Sequence, residues 1–286
     1  MAEAAVGEVG KKGVDKKSTR PPGLSFRTKK YLTYAVIAVL GLLLALYFQF
    51  DLPFMREWFR YIAGGTWYTL MLCFGGIALA IPMALLGALG RLSKSGVLNG
   101  IANFYTSFFR GTPLLVQVYF IYFAFPQLAF KPASPPFLEP LLVYDVLFAG
   151  ILALGLNYGA YMTEIFRAGI QSIGHGQAEA AHALGMSGGQ TMRRIVLPQA
   201  VRVIIPPTGN DFIAMLKDSS LVGTVGTVQE LFNRAQVVGK AESRAFETLL
   251  IAALIYWGLT GIFSFFQAKI EKRYARGHVR EEPHGH

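Results

Sequence analysis

Polar and ionisable side chains set inside long apolar stretches are where this sequence could do chemistry. Asn157, Tyr161 and Glu164 stand at i, i+4 and i+7, a spacing that gathers them on one helix face. Arg167 follows Glu164 by one turn and is placed to pair with it. Charged and polar groups are costly in lipid, so this face must turn into a bundle or toward a pathway. For Glu164 and Arg167 the other reading is an anchor at the aqueous interface. A second set, Asn210, Asp211, Lys217, Asp218, Ser219 and Ser220, follows the pair Pro206-Pro207 in another apolar stretch. It supplies donors, acceptors and both signs of charge. Contact with a solute and a structural ion pair both remain open for it. Each proline removes a helix donor. A broken helix is therefore expected at Pro206-Pro207, with freed carbonyls facing a cavity.

The elements that carry these residues are membrane spans. Of 286 residues, 53% are hydrophobic and 15% charged, against about 25% charged in an ordinary soluble protein. Residues 31–50 carry no charge, and residues 61–90 contain no Lys, Arg, Asp or Glu. Each block meets the roughly 20 residues that a spanning helix needs. Six spans are expected: 31–50, 66–90, 112–130 after an amphipathic approach at 97–109, 141–163, 199–228 and 246–267. The fold class is thus an all-α integral membrane protein, a bundle of about six transmembrane helices. Pro132, Pro135, Pro136 and Pro140 mark a loop, and residues 164–198 form a polar connection.

Charge orients the spans. The net charge of +10 is concentrated in the first thirty residues and in the tail at Lys269, Lys272, Arg273, Arg276 and Arg280. With both termini in the cytoplasm, the inner segments 1–30, 91–96, 164–198 and 268–286 hold 18 Lys and Arg, against 6 in the outer segments 51–65, 129–140 and 229–245. That bias is the positive-inside pattern, and it requires no nucleic acid. A charged leader of about 30 residues containing Glu3, Glu8 and Asp15 is unlike a cleavable signal. The single cysteine, Cys73, cannot form an intrachain disulfide. His175, His182, His278, His284 and His286 lack zinc-site spacing, so no metal is expected.

The polar connection reads GQAEAAHALGMSGGQTMRRIVLPQA from Gly176 to Ala200. Gln177 to Leu184 is rich in helix formers, Gly185 is placed to cap that short helix in the left-handed conformation, and Gly188-Gly189 would continue the turn. The next helix would start within Thr191 to Val196. Glu179-Ala180-Ala181, then Gly185, then Ile195-Val196-Leu197-Pro198 fall at the distances of the EAA loop. In this the chain resembles the permease subunits of type I ABC importers. Arg110 to Gln117 (RGTPLLVQ), Asn157 to Arg167 (NYGAYMTEIFR), Pro206 to Asn210 and Leu216 to Leu221 resemble the polar amino acid branch of that family.

The resemblance covers residues 62–270, a permease domain with its EAA loop at 176–200. Outside it fall a basic cytoplasmic tail (1–30), an additional N-terminal helix (31–50) and a C-terminal tail (271–286). It implies that Glu179, Ala180, Ala181, Gly185, Ile195, Leu197 and Pro198 form a coupling helix and its surroundings, on which a separate ATPase docks. ATP and Mg would bind that ATPase, and this chain would bind no cofactor. A dimer of ATPases, a second permease of the same or another sequence, and an extracytoplasmic binding protein would complete the importer in the bacterial inner membrane. Asn157, Tyr161, Glu164, Asn210, Asp211, Lys217, Asp218, Ser219 and Ser220 are the candidates for the amino acid path. Ser187-Gly188-Gly189-Gln190 matches part of the signature of ABC ATPases, but no Gly-Lys pair is followed by Ser or Thr as a phosphate loop requires. A permease for another small solute, and a secondary transporter independent of ATP, remain alternatives.

Overall fold

A computed structural model describes residues 25–48, 50–132, 134–173, 175–225 and 228–275. The basic leader before residue 25 and the tail beyond 275, with His278, His284 and His286, lie outside the described residues. Two compact units divide between Phe50 and Asp51. The first contributes one helix, α1 (Phe26–Phe48), of 23 residues, about 34 Å at 1.5 Å per residue and enough to cross a hydrocarbon core.

The second unit begins with amphipathic α2 (Leu52–Ala63), capped by Asp51, whose carboxylate accepts from Phe54 N. A tight turn leads into α3 (Thr66–Leu92). Then follow α4 (Gly96–Gly111), α5 (Leu114–Tyr119), a π-helical turn at Phe120–Ala124, α6 (Phe125–Ala129), a 3-10 turn at Pro136–Leu138 and α7 (Glu139–Leu142). The remainder is α8 (Val146–Gln171), α9 (His175–Ala183), α10 (Gly188–Thr191), a π-helical turn at Met192–Val196, α11 (Leu197–Gly223), α12 (Leu231–Ala241) and α13 (Ala245–Ala275). Among the described residues of this unit three helical stretches, Leu52–Leu92, Val146–Gln171 and Ala245–Tyr274, are long and apolar enough to cross a membrane, and a fourth if bent α4–α6 is one span. α11 has the length, 27 residues, but is not among them, because its polar residues lower its hydropathy.

The core is the packing of α3, α8 and α11. Small residues recur every fourth position on the facing sides of two of them, Gly76, Ala80, Ala84 and Ala88 on α3 and Gly155, Gly159 and Thr163 on α8. They let the backbones approach closely, the usual means of helix association where lipid removes the hydrophobic drive. A Cβ on Gly155 would stand 2.6 Å from Leu79 Cδ2, so a larger residue cannot enter without separating α3 from α8. In contrast α13 presents Trp257, Phe265 and Phe266 outward, as a lipid-facing helix should.

Two expectations are corrected by the backbone. Pro206 and Pro207 do not break α11, which runs through both without interruption. Gln267 Nε2 on α13 donates to Pro206 O at 2.6 Å, which ties α13 to α11 at the level of the prolines. α8 does not stop at residue 163 but continues to Gln171. Glu164 and Arg167 therefore project from the same continuous helix as Asn157 and Tyr161, beyond the expected end of the span.

Glu230, which lies in the segment between α11 and α12, outside the spans, joins the first turns of α3 and α12 to Tyr256, three turns into α13. It is fully buried. Its carboxylate accepts from Tyr256 Oη at 2.7 Å, Asn233 N at 2.6 Å and Thr69 Oγ1 at 3.4 Å. Those donors favour the ionised form, but burial outweighs them and raises the carboxyl above its ordinary 4.5. A raised acid binds its proton more tightly in the folded state. Its contribution to stability is full below 4.5 and is lost as pH rises through the elevated folded value. The thermal midpoint of the purified protein is expected to fall as pH rises above 4.5 and then to level. Glu230→Gln should remove that step, as scanning fluorimetry at a series of pH values can read.

Candidate functional site

The bend between α4 and α5 creates the site. Pro113 confines the preceding residue to extended conformations, and Thr112 has φ −116° and ψ 144°. α4 must stop at Gly111, and the next helix sets off at 106° to it. A bend of this kind strands backbone carbonyls at the end of α4, and lipid offers them no partner. Gln117 supplies it. Its Nε2 donates to Phe109 O at 2.8 Å and to Thr112 O at 3.1 Å. Asn157 Nδ2, from α8, donates to Phe109 O at 3.0 Å and to Gln117 Oε1 at 3.1 Å. Both amides are buried. Asn157 thus faces the interior, as its spacing implied, and pins the kink to α8.

Under the bend lies a cavity of 480 Å³ lined by Arg110, Gly111, Thr112, Pro113 and Leu114, by Asn157, Tyr158 and Tyr161 of α8, and by Asp211, Ala214 and Asp218 of α11. One guanidinium and two carboxylates face a space walled mainly by uncharged groups. Tyr158 Oη donates to Asp218 Oδ2 at 2.8 Å. Among the described residues Asp211 Oδ2 is buried without a hydrogen-bond partner, although a buried acceptor is normally satisfied. The Arg110 guanidinium lies over the Tyr161 ring, 5.3 Å from its centroid.

Arg110 also touches a second group of charges. Glu164 Oε1 stands 2.9 Å from Arg91 Nη1 of α3 and 3.7 Å from Arg110 Nη1 of α4, and Glu164 Oε2 is 2.9 Å from Arg167 Nε. Arg91 Nη1 donates to Thr106 Oγ1 at 3.1 Å as well. One carboxylate so holds the ends of three helices together. A second cavity, of 470 Å³, lies beside it and shares Arg110, Gly111 and Tyr161 with the first. The Arg110–Tyr161 pair stands between the two. A third space, 400 Å³ and lined by Phe74, Phe212, Phe263 and Phe266 among others, carries no charged side chain and cannot suit an ionised solute.

Asn157, Tyr161, Asp211 and Asp218 are therefore brought to one cavity, and the remaining candidates are not. Glu164 is held in the arginine cluster. Asn210 and Lys217 are exposed away from the cavity, because a helix turns 100° per residue and they flank the polar face. Ser219 and Ser220 donate to Leu216 O and Lys217 O of their own helix at 2.8 and 2.6 Å. Arg110, Tyr158 and Thr112 line the cavity but were not among the candidates. The only sequence signal for Arg110 was a charge at the foot of an apolar stretch, immediately before Gly-Thr-Pro.

The polar connection forms the helix expected of it. α9 ends at a left-handed Gly185, φ +79°. Gly185 N donates to His182 O at 2.9 Å and Met186 N to Ala181 O at 3.1 Å, the paired bonds of a Schellman cap. Ala181 is buried, whereas Glu179, Ala180 and Pro198 are exposed and Ile195 and Leu197 are half-buried. Leu184 is 83% exposed. Gly188 and Gly189 do not continue the turn but begin α10, because Ser187 and Gln190 form a capping box, with Ser187 N donating to Gln190 Oε1 at 2.9 Å. The Ser-Gly-Gly-Gln run is a helix start, which its S-x-x-Q pattern could have disclosed. Among the described residues no three His, Cys, Asp or Glu side chains are grouped to hold a metal ion.

Comparison with known proteins agrees with this geometry. Residues 76–276 match the family model described as the inner membrane component of binding-protein-dependent transport systems. A probable amino-acid ABC transporter permease of Bacillus subtilis, YckA, is 36% identical over 226 residues, 79% of this chain and 94% of its own length. The L-cystine transport system permease TcyB of the same organism is 39% identical over 75% of this chain and 87% of its own. The crystal structure of an amino acid ABC transporter with histidines superposes with a TM-score of 0.68 at 35% identity, covering 78% of this chain and 99% of that one. A methionine ABC transporter, MetNI, shares the fold at a TM-score of 0.60 and 19% identity, over 76% of this chain and 98% of that one. With an all-helical fold of this kind and a family match over most of its length, the chain belongs to the inner membrane components of binding-protein-dependent transport systems.

Proposed function

We propose that this chain lines the path of an amino acid through an ATP-driven importer in a bacterial cytoplasmic membrane. The observation that carries the proposal is the cavity under the α4–α5 bend. An amino acid brings a carboxylate and an ammonium on one carbon. Arg110 offers the carboxylate a planar pair of donors, and the carboxylate of Asp211 on the same lining offers the ammonium an acceptor. Neither charge pair would be strong in water, but both gain strength where water is excluded. The names of the relatives, an L-cystine permease among them, support amino acids as the solute class.

Energy enters through α9. Its exposed Leu184 and the small side chain of Ala180 make a narrow apolar edge, with Glu179 as a polar contact beside it, suited to a groove on an ATPase. The rest of the EAA loop, Ile195, Leu197 and Pro198, passes the displacement into α11, whose Asp211 and Asp218 face the cavity. ATP and Mg act on the partner ATPases, two of which pair beneath two permeases. A binding protein delivers the solute from the opposite side. The excess of Lys and Arg in alternate connections supports cytoplasmic termini.

Uptake and ATP hydrolysis by the complete importer in liposomes test the coupling. Gly185→Val forces a β-branched residue to φ +79°, a cost of roughly 1–2 kcal/mol, and should distort the cap that fixes α9. Glu179→Ala removes the polar contact without that strain. Both variants are expected to lower uptake per ATP hydrolysed at least about fivefold, a change of roughly 1 kcal/mol in the coupled step. Wild-type coupling in both would refute this role for α9.

A further inference from the structure

We infer that the two carboxylates of the cavity have different tasks, and that Asp218 selects substrates whose side chain carries a positive charge. This inference rests on the cavity being the amino acid site. Three contacts set the register of α8 against α11. Gly150 abuts Val222, Tyr158 meets Asp218 and Gly169 abuts Ile204, so the helices are antiparallel. Asp218 stands at the level of Tyr158. Asp211 lies seven residues earlier, about 10 Å along the axis, toward the level at which Arg110 covers Tyr161 and approaches Glu164.

The two α-groups of an amino acid share one carbon. They can engage Arg110 and the nearer carboxylate, Asp211, but cannot also span to Asp218. A group reaching Asp218 must come from the side chain. Ala214 lies between the two aspartates on the same face of α11, and its single methyl leaves that length of cavity open. Tyr158 Oη occupies Oδ2 of Asp218, which leaves Oδ1 to accept from an incoming ammonium or guanidinium.

Charge gives the same answer. Among the described residues the lining holds one cation and two anions, and neither aspartate forms an ion pair with the protein. Lys217, next to Asp218 in sequence, is exposed elsewhere. A cationic side chain gives Asp218 the counter-charge that the protein does not supply. A neutral one leaves Asp218 ionised without a counter-charge among buried surroundings, and an acidic one adds to the excess. Lysine-, arginine- and ornithine-like substrates fit; glutamine- and glutamate-like ones do not.

Equilibrium binding of radiolabelled L-arginine, L-citrulline and L-glutamate to the purified permease–ATPase complex, without binding protein, tests this. Citrulline keeps the shape of arginine and loses the charge. Arginine is expected to bind at least about tenfold tighter than citrulline. Asp218→Asn should bring arginine to citrulline's level, Asp218→Glu should keep the preference, and Asp211→Asn should weaken both ligands together. Equal binding of arginine and citrulline by the wild type overturns the selectivity and leaves the amino acid site standing. So does a preference that survives Asp218→Asn. Binding of none of the three amino acids contradicts the site itself. If Asp218→Asn fails to assemble, the wild-type ratio and the Asp218→Glu variant decide.

Discussion

Lipid will not solvate a charge or an unpaired backbone group, and the arrangement of this chain follows from that constraint. The α4–α5 bend falls where Thr112 is extended before Pro113, and it persists because Gln117 and Asn157 take up Phe109 O and Thr112 O. Asn157 belongs to α8, so the repair of a local defect also fixes one helix against another. The same demand brings Arg91, Arg110 and Arg167 to Glu164. Three arginines on one carboxylate leave an excess of positive charge, and Arg110 is the member that also reaches a cavity.

That position gives Arg110 two possible partners. It leans on Tyr161 and stands 3.7 Å from Glu164, a long contact beside the 2.9 Å bonds of Arg91 and Arg167. A substrate carboxylate offers it a better one. Glu164 loses little when Arg110 turns away, because its other two arginines remain. The weak third contact therefore allows Arg110 to be held in place without being used up. Asp211 shows the complementary feature, a buried oxygen that no protein group satisfies.

Much of this was legible in the sequence, and the parts that were not have physical reasons. The helix at Gln177–Leu184 and its left-handed Gly185 follow from local propensity and the absence of a Cβ, so they could be read from the chain alone. The shared face of Asn157 and Tyr161 followed from helical periodicity. Periodicity does not say which neighbour a face meets. The partners of Asn157 are 48 and 40 residues away, and no local pattern announces them. The prolines misled because helix propensity is a local preference that tertiary packing can override, and the contact of Gln267 with Pro206 O, 61 residues away in sequence, has no local signal. Asn210 and Lys217 shared an apolar stretch with Asp211 and Asp218, but only Asp211, Ala214 and Asp218 fall on the face of α11 that lines this cavity.

The central claim is that Arg110 holds the α-carboxylate of a bound amino acid. The most direct measurement compares the binding of an amino acid with that of its decarboxylated amine to the purified permease–ATPase complex, in the wild type and in Arg110→Gln. The account predicts that the wild type binds the amino acid at least about tenfold more tightly than the amine and that Arg110→Gln abolishes the difference. Equal binding of acid and amine by the wild type, or a difference that survives Arg110→Gln, would contradict it.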